Sequence, residues 1–113
     1  YQQDALLGLI VLNEQQDKSY EALDWQIETE QVLVVHRLAV SPSHQGKGLG
    51  QLLMEFAERK AKQHDYESIR LDGFSENNAL HEFYKALGYT YIGDVNLDNR
   101  VQVYRCYEKV LVD

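Results

Sequence analysis

Residues 35–50 read Val35-His36-Arg37-Leu38-Ala39-Val40-Ser41-Pro42-Ser43-His44-Gln45-Gly46-Lys47-Gly48-Leu49-Gly50. The stretch reads as a strand, a turn marked by Pro42, and a loop with glycine at positions 46, 48 and 50. A helical repeat begins at Leu49. Glycines at alternating positions leave the loop almost bare of side chains, so its backbone N–H groups can approach a ligand closely. At a helix N-terminus those groups combine with the helix dipole into a site suited to phosphate.

On the N-terminal side, residues 32–40 continue the strand as a near-unbroken β-branched and aliphatic run, and residues 5–13 form another apolar run. Between them, Leu23, Trp25 and Ile27 fall at period two, which predicts a half-buried strand over residues 20–27. Three strands with short connections predict an antiparallel meander. On the C-terminal side, Leu49, Leu52, Leu53, Phe56, Ala57 and Lys60 recur at helical spacing, with Glu55, Glu58, Arg59 and Lys62 opposite. That helix should reach residue 64 or 65. Residues 68–73 predict a strand with Ile69 and Leu71 inward, and residues 79–87 a second helix, started by Ser75-Glu76-Asn77-Asn78 and stopped by Gly88. Two further strands, 89–95 and 101–112, join through a turn at 96–100. The expectation is an α/β (α+β) fold with a mixed, mostly antiparallel sheet in the order βββ-α-β-α-ββ.

The 113 residues, 44% of them hydrophobic and 26% charged, fit one soluble domain spanning 1–113. No apolar run approaches the ~20 residues that span a bilayer, and no basic leader precedes the first strand, so neither a membrane partner nor secretion is expected. A net charge of −7 argues against nucleic acid as a partner. A single cysteine, Cys106, excludes an internal disulfide and suits a cytoplasmic setting. His44, His64 and His81 show no i, i+4 pairing with one another or with the cysteine, so no metal site is expected.

Among phosphate loops, a Walker A sequence requires Ser or Thr after its lysine, but Lys47 is followed by Gly48. A dinucleotide fingerprint requires G-x-G-x-x-G after a βαβ start, and here the spacing is G-x-G-x-G after a meander. Gln45-Gly46-Lys47-Gly48-Leu49-Gly50 instead matches Q/R-x-x-G-x-G/A, the acetyl-CoA pyrophosphate loop of the GNAT superfamily of N-acetyltransferases, which this chain resembles. The family's Leu/Ile-x-Val strand before the loop appears as Leu38-Ala39-Val40. Its later N-x-x-x-x-x-[LF]-Y-x-x-x-G-[FY] segment appears as Asn77 followed by Phe83-Tyr84-Lys85-Ala86-Leu87-Gly88-Tyr89. The family usually has a further strand and one or two helices first, which help build the acceptor pocket. The resemblance therefore implies either an N-terminally truncated domain or a pocket that is minimal or completed by a second subunit.

The resemblance implies acetyl-CoA as co-substrate and an amine as acceptor, either a small molecule or a protein amino group. It implies that Gln45, Gly46, Lys47, Gly48, Leu49, Gly50 and Gln51 bind the pyrophosphate. Leu38, Ala39 and Val40 would offer backbone groups to the pantetheine, where the family's fourth strand splays from its fifth. Asn77 would bond to the cofactor or simply cap its helix. Tyr84 would be the general acid that protonates the departing thiolate. His36, two positions before Leu38, is read as sharing its face and as a candidate base, since a neutral imidazole can take a proton from an ammonium acceptor. Asp72 and Ser75 are expected to line the same mouth. Cys106 is read as structural, and the Tyr-rich last strand as a packing surface or a homodimer interface. The alternative is a non-catalytic CoA-binding or regulatory module on the same core.

Overall fold

In a computed structural model, which describes residues 8–41, 48–96 and 102–111, five strands form one sheet. In chain order the elements are β1 (Gly8–Asn13), a short 3-10 helix (Lys18–Ala22), β2 (Val32–Val40), α1 (Leu49–Gln63), β3 (Ser68–Phe74), α2 (Asn78–Ala86), β4 (Thr90–Val95) and β5 (Tyr104–Val110). The sheet order is β1-β2-β3-β5-β4. Only β2 and β3 run parallel, and α1 makes the crossover that parallel neighbours need. The expected class, a mixed and mostly antiparallel α/β sheet, is the one observed.

One predicted strand is not there. Residues 20–27 begin in the 3-10 helix and continue as an irregular extended segment lying across the sheet. The period-two signal is real, since Leu23, Trp25 and Ile27 are half-buried and Asp24, Gln26 and Glu28 exposed. Alternation of that kind arises whenever an extended segment lies flat on a surface. The backbone bonds of this one go to side chains: Gln26 N–H donates to Glu108 at 2.6 Å, and Ile27 C=O accepts from Arg70 at 2.6 Å. The expected meander is therefore two strands, β1 and β2, with the intervening residues folded over the far face.

Two cores result. On one face, α1 and α2 cover Leu33, Val35, Ile69, Leu71 and Tyr107 with Met54, Ala61 and Tyr84. On the other, Tyr20, Leu23 and Trp25 pack on Val95, Tyr104 and Cys106. The buried stripe of α1 runs through Met54, Ala57 and Ala61, while Leu52 and Phe56 stand 60% and 41% exposed. Ala57 keeps its expected place and Leu49 and Leu53 are half-buried, so the correction to the expected stripe concerns Leu52, Phe56 and Lys60, which are exposed. Glu58 also leaves the solvent face assigned to it, because it receives the Tyr89 hydroxyl and the Lys109 ammonium. β5 lies between β3 and β4 with Cys106 and Tyr107 fully buried, so the Tyr-rich strand is a packing surface within the core.

Candidate active site

The parallel ladder between β2 and β3 runs from Val32↔Ser68 to Val35↔Leu71 and stops, although β2 continues to Val40 and β3 to Phe74. The two strands therefore part beyond Val35. On the helix side, a cleft of about 520 Å³ opens between the end of β2, the first turn of α1 and the start of α2. Leu38, Val40, Gly48, Leu49, Gly50, Gln51 and Asn77 all line it, as do Ala79, Leu80 and Phe83. Seven of the expected binding residues thus meet at one cleft. Gln45, Gly46 and Lys47 lie outside the described residues.

Two of the residues at the start of α1, Gly48 and Gly50, carry no side chain. Gly48, its N-cap, has φ +79°, a left-handed conformation that glycine adopts without strain, and it supplies no side-chain cap. The first intrahelical bond runs from Leu52 N–H to Gly48 C=O, which leaves the N–H groups of Leu49, Gly50 and Gln51 without helical acceptors. A Cβ on Gly50 would stand 3.4 Å from the Phe83 ring, so glycine keeps the cleft floor open. Together these features offer unpaired donors and the positive end of a dipole to an anion.

Asn77 caps α2, its Oδ1 accepting from Leu80 N–H at 3.2 Å. The cap uses the side chain's acceptor and leaves its two amide donors for a ligand, so capping and ligand binding are compatible. Tyr84 stands behind the cleft, 3% exposed, among the rings of Phe83, Tyr89 and Tyr107 at centroid distances of 5.5, 5.9 and 5.7 Å. Burial, reinforced by the charges of Asp72 and Tyr107, pushes its phenol well above the ordinary value. It therefore stays protonated and able to donate.

His36 is not on the face expected for it. The β1–β2 register pairs Leu12 with Val35 and Val11 with Arg37, so His36 is an extra residue in a β-bulge. The bulge resets the alternation: Leu33, Val35, Leu38 and Val40 all face the helices. His36 turns to the opposite face, where it is exposed and its Nε2–H donates to Asn13 Oδ1. A neutral imidazole bound in this way carries its lone pair on Nδ1. Ala39, on the same far side of β2, is exposed and does not line the cleft, so its side chain has no part in it.

Asp72, the first β3 residue past the last rung, also lies on the far face and accepts the Tyr20 hydroxyl at 2.5 Å. The Ser75 backbone carbonyl accepts from His81 Nε2 at 3.1 Å. Tyr20 had no local signal of a role, because its partner is 52 residues away. Among the described residues, no group of three or more His, Cys, Asp or Glu side chains is placed to hold a metal ion.

The profile of the acetyltransferase (GNAT) family matches residues 1–89. The chain belongs to the GNAT family. Over 64 residues it is 39% identical to the uncharacterized N-acetyltransferase YesJ of Bacillus subtilis, a match covering 57% of this chain and 36% of YesJ. The chain therefore matches only about a third of that relative's length. Among solved structures, it resembles a GNAT acetyltransferase from Listeria monocytogenes at 26% identity and a TM-score of 0.72, covering 95% of this chain and 59% of the other. YncA from Salmonella typhimurium, solved with its cofactor acetyl-CoA, shares the fold at 17% identity and a TM-score of 0.72, over 97% of this chain and 61% of that one.

Proposed function

We propose that this GNAT chain transfers acetyl from acetyl-CoA to an amine by direct attack in a ternary complex. The observation that carries the reading is the cleft itself, where uncapped N–H groups of α1 meet a strand edge that β3 has left unpaired. The N–H groups of Leu49, Gly50 and Gln51 suit the pyrophosphate, with Gln45, Gly46 and Lys47 in the preceding loop as the family motif implies. The edge of β2 around Leu38 suits the pantetheine amides, and Asn77 has amide donors to spare. The acetyl-CoA complex of YncA, on the same fold, supports the co-substrate.

In the reaction, the amine nitrogen attacks the thioester carbonyl carbon, the C–S bond breaks, and the nitrogen gives up a proton. Tyr84, held neutral by burial, hydrogen-bonds to the leaving thiolate and returns a proton to it. His36 offers Nδ1 to the amine proton from the far face. Holding both reactants at the parting of β2 and β3 supplies much of the acceleration. The test is release of free CoA, followed with DTNB against a panel of primary amines, beside a calorimetric titration with acetyl-CoA. Binding with CoA release identifies a transferase. Binding without release by any amine identifies the non-catalytic module instead, and failure to bind acetyl-CoA overturns both.

A further inference from the structure

Resting on the transferase reading, we infer that Asp72, held by the Tyr20 hydroxyl, receives the acceptor's ammonium on the far face of the sheet, so that the substrates are amines carrying a positive charge. The argument starts from position. The β2–β3 ladder ends at Val35↔Leu71, and His36 and Asp72 are the next residue of each strand. They flank the opening on the side away from α1 and α2. One carboxylate oxygen, Oδ2, takes the Tyr20 hydroxyl at 2.5 Å. Tyr20 is 2% exposed and its own burial keeps the phenol neutral, so it can only donate there. The other oxygen, Oδ1, has no protein partner among the described residues. A carboxylate fixed through one oxygen, with the other unused, is prepared for a donor from outside.

The surroundings keep this carboxylate under strain. Desolvation raises the Asp72 pKa, the Tyr20 bond opposes it, and Asp17 adds to it. A cation delivered to Oδ1 offsets that cost by favouring the charged carboxylate. The charge of Asp72 also reaches Tyr84, which stands on the helix side. The segment over residues 14–31 brings Tyr20 here, and it is the part of the fold that replaced an expected strand.

The experiment compares Asp72→Asn and Tyr20→Phe with the unaltered chain, using benzylamine as a cationic acceptor and hydroxylamine as a neutral one. Asp72→Asn should raise KM for benzylamine ~10- to 100-fold, the loss of a hydrogen bond to a charged group, and leave hydroxylamine within about twofold. The acetyl-CoA Kd should not change in either variant. Tyr20→Phe removes a bond that lowers the Asp72 pKa, so the acid limb of the benzylamine kcat/KM profile should move to higher pH. The charged or titratable groups facing Asp72 are Tyr20 and Asp17 from residues 14–31, His36 from β2, Tyr84 from α2 and Cys106 from β5. Of these, only Tyr20 changes in that variant. Equal losses for both acceptors, or an unmoved acid limb, would overturn the assignment while leaving transferase activity intact. A chain that binds acetyl-CoA and acetylates no amine removes the transferase reading, and this one with it.

Discussion

Replacing Glu108 with alanine should cost more stability than any change in the cleft. Glu108 is fully buried on β5, where Oε1 accepts Gln26 N–H at 2.6 Å and Oε2 accepts Ser68 Oγ–H at 2.6 Å and Arg70 Nε–H at 2.9 Å. Arg70 in turn donates to Gln16 Oε1 at 2.9 Å and to the Ile27 carbonyl at 2.6 Å, with its guanidinium 4.4 Å from the Trp25 ring. Alanine would leave a buried guanidinium, a backbone N–H and a hydroxyl without their acceptor. Removing one partner of a buried ion pair costs about 3–5 kcal/mol, a large share of the ~5–15 kcal/mol that holds a domain folded. Urea unfolding followed by Trp25, the chain's one tryptophan, measures the loss directly. Trp25 emission in the absence of denaturant should also shift to the red, because the residue sits in the segment the pair secures. Glu108→Gln keeps the shape and an acceptor oxygen, and should lose less. A drop below about 1 kcal/mol for Glu108→Ala would refute the claim that this pair fastens residues 14–31 to the sheet.

Tyr84→Phe should lower kcat by ~10²-fold or more while the acetyl-CoA Kd stays put, and steady-state kinetics beside calorimetry will show a misassignment if kcat survives. Gly48→Ala places a Cβ in open space but at φ +79°, so a cost of about 1–2 kcal/mol and weaker acetyl-CoA binding are expected from denaturation and titration. The Cys106 thiol is pushed up to about 12, chiefly by burial, so DTNB should label it only as the protein unfolds. Rapid stoichiometric labelling of the folded protein at pH 8 would contradict that burial. Buried Tyr20, Tyr84 and Tyr89 also have raised pKa values. The unfolded chain ionises its phenols near pH ~10 while the fold keeps these three protonated, so stability should fall as pH rises through that range, which urea midpoints at pH 8 and pH 10 would show.

The elements legible in the sequence were those whose signal is local. The glycine loop, the strand of Ile69 and Leu71, and α2 between Asn77 and Gly88 each announce themselves within a dozen residues. The segment over 20–27 did not, because what fixes its backbone lies 43 and 82 residues away, on Arg70 and Glu108. Part of the buried stripe of α1 was misjudged for a related reason: Met54 and small Ala61 join Ala57 against the sheet, and the large Leu52 and Phe56 stand outside it. For the site, the cleft residues followed from motif spacing, whereas the face of His36 depended on a register with β1 that no single strand reveals.

The bulge at His36 works as a parity count. With the extra residue, Leu33 and Val35 before it and Leu38 and Val40 after it all point to the helices. Without it, one pair would have to turn away, emptying either the core or the cleft. For the fold, the position is therefore more sensitive to deletion than to substitution. Another side chain there leaves both faces of the strand as they are, whatever it does to the proton transfer, but one residue fewer reverses half the strand. Lineages of this fold should hardly vary in length at that point.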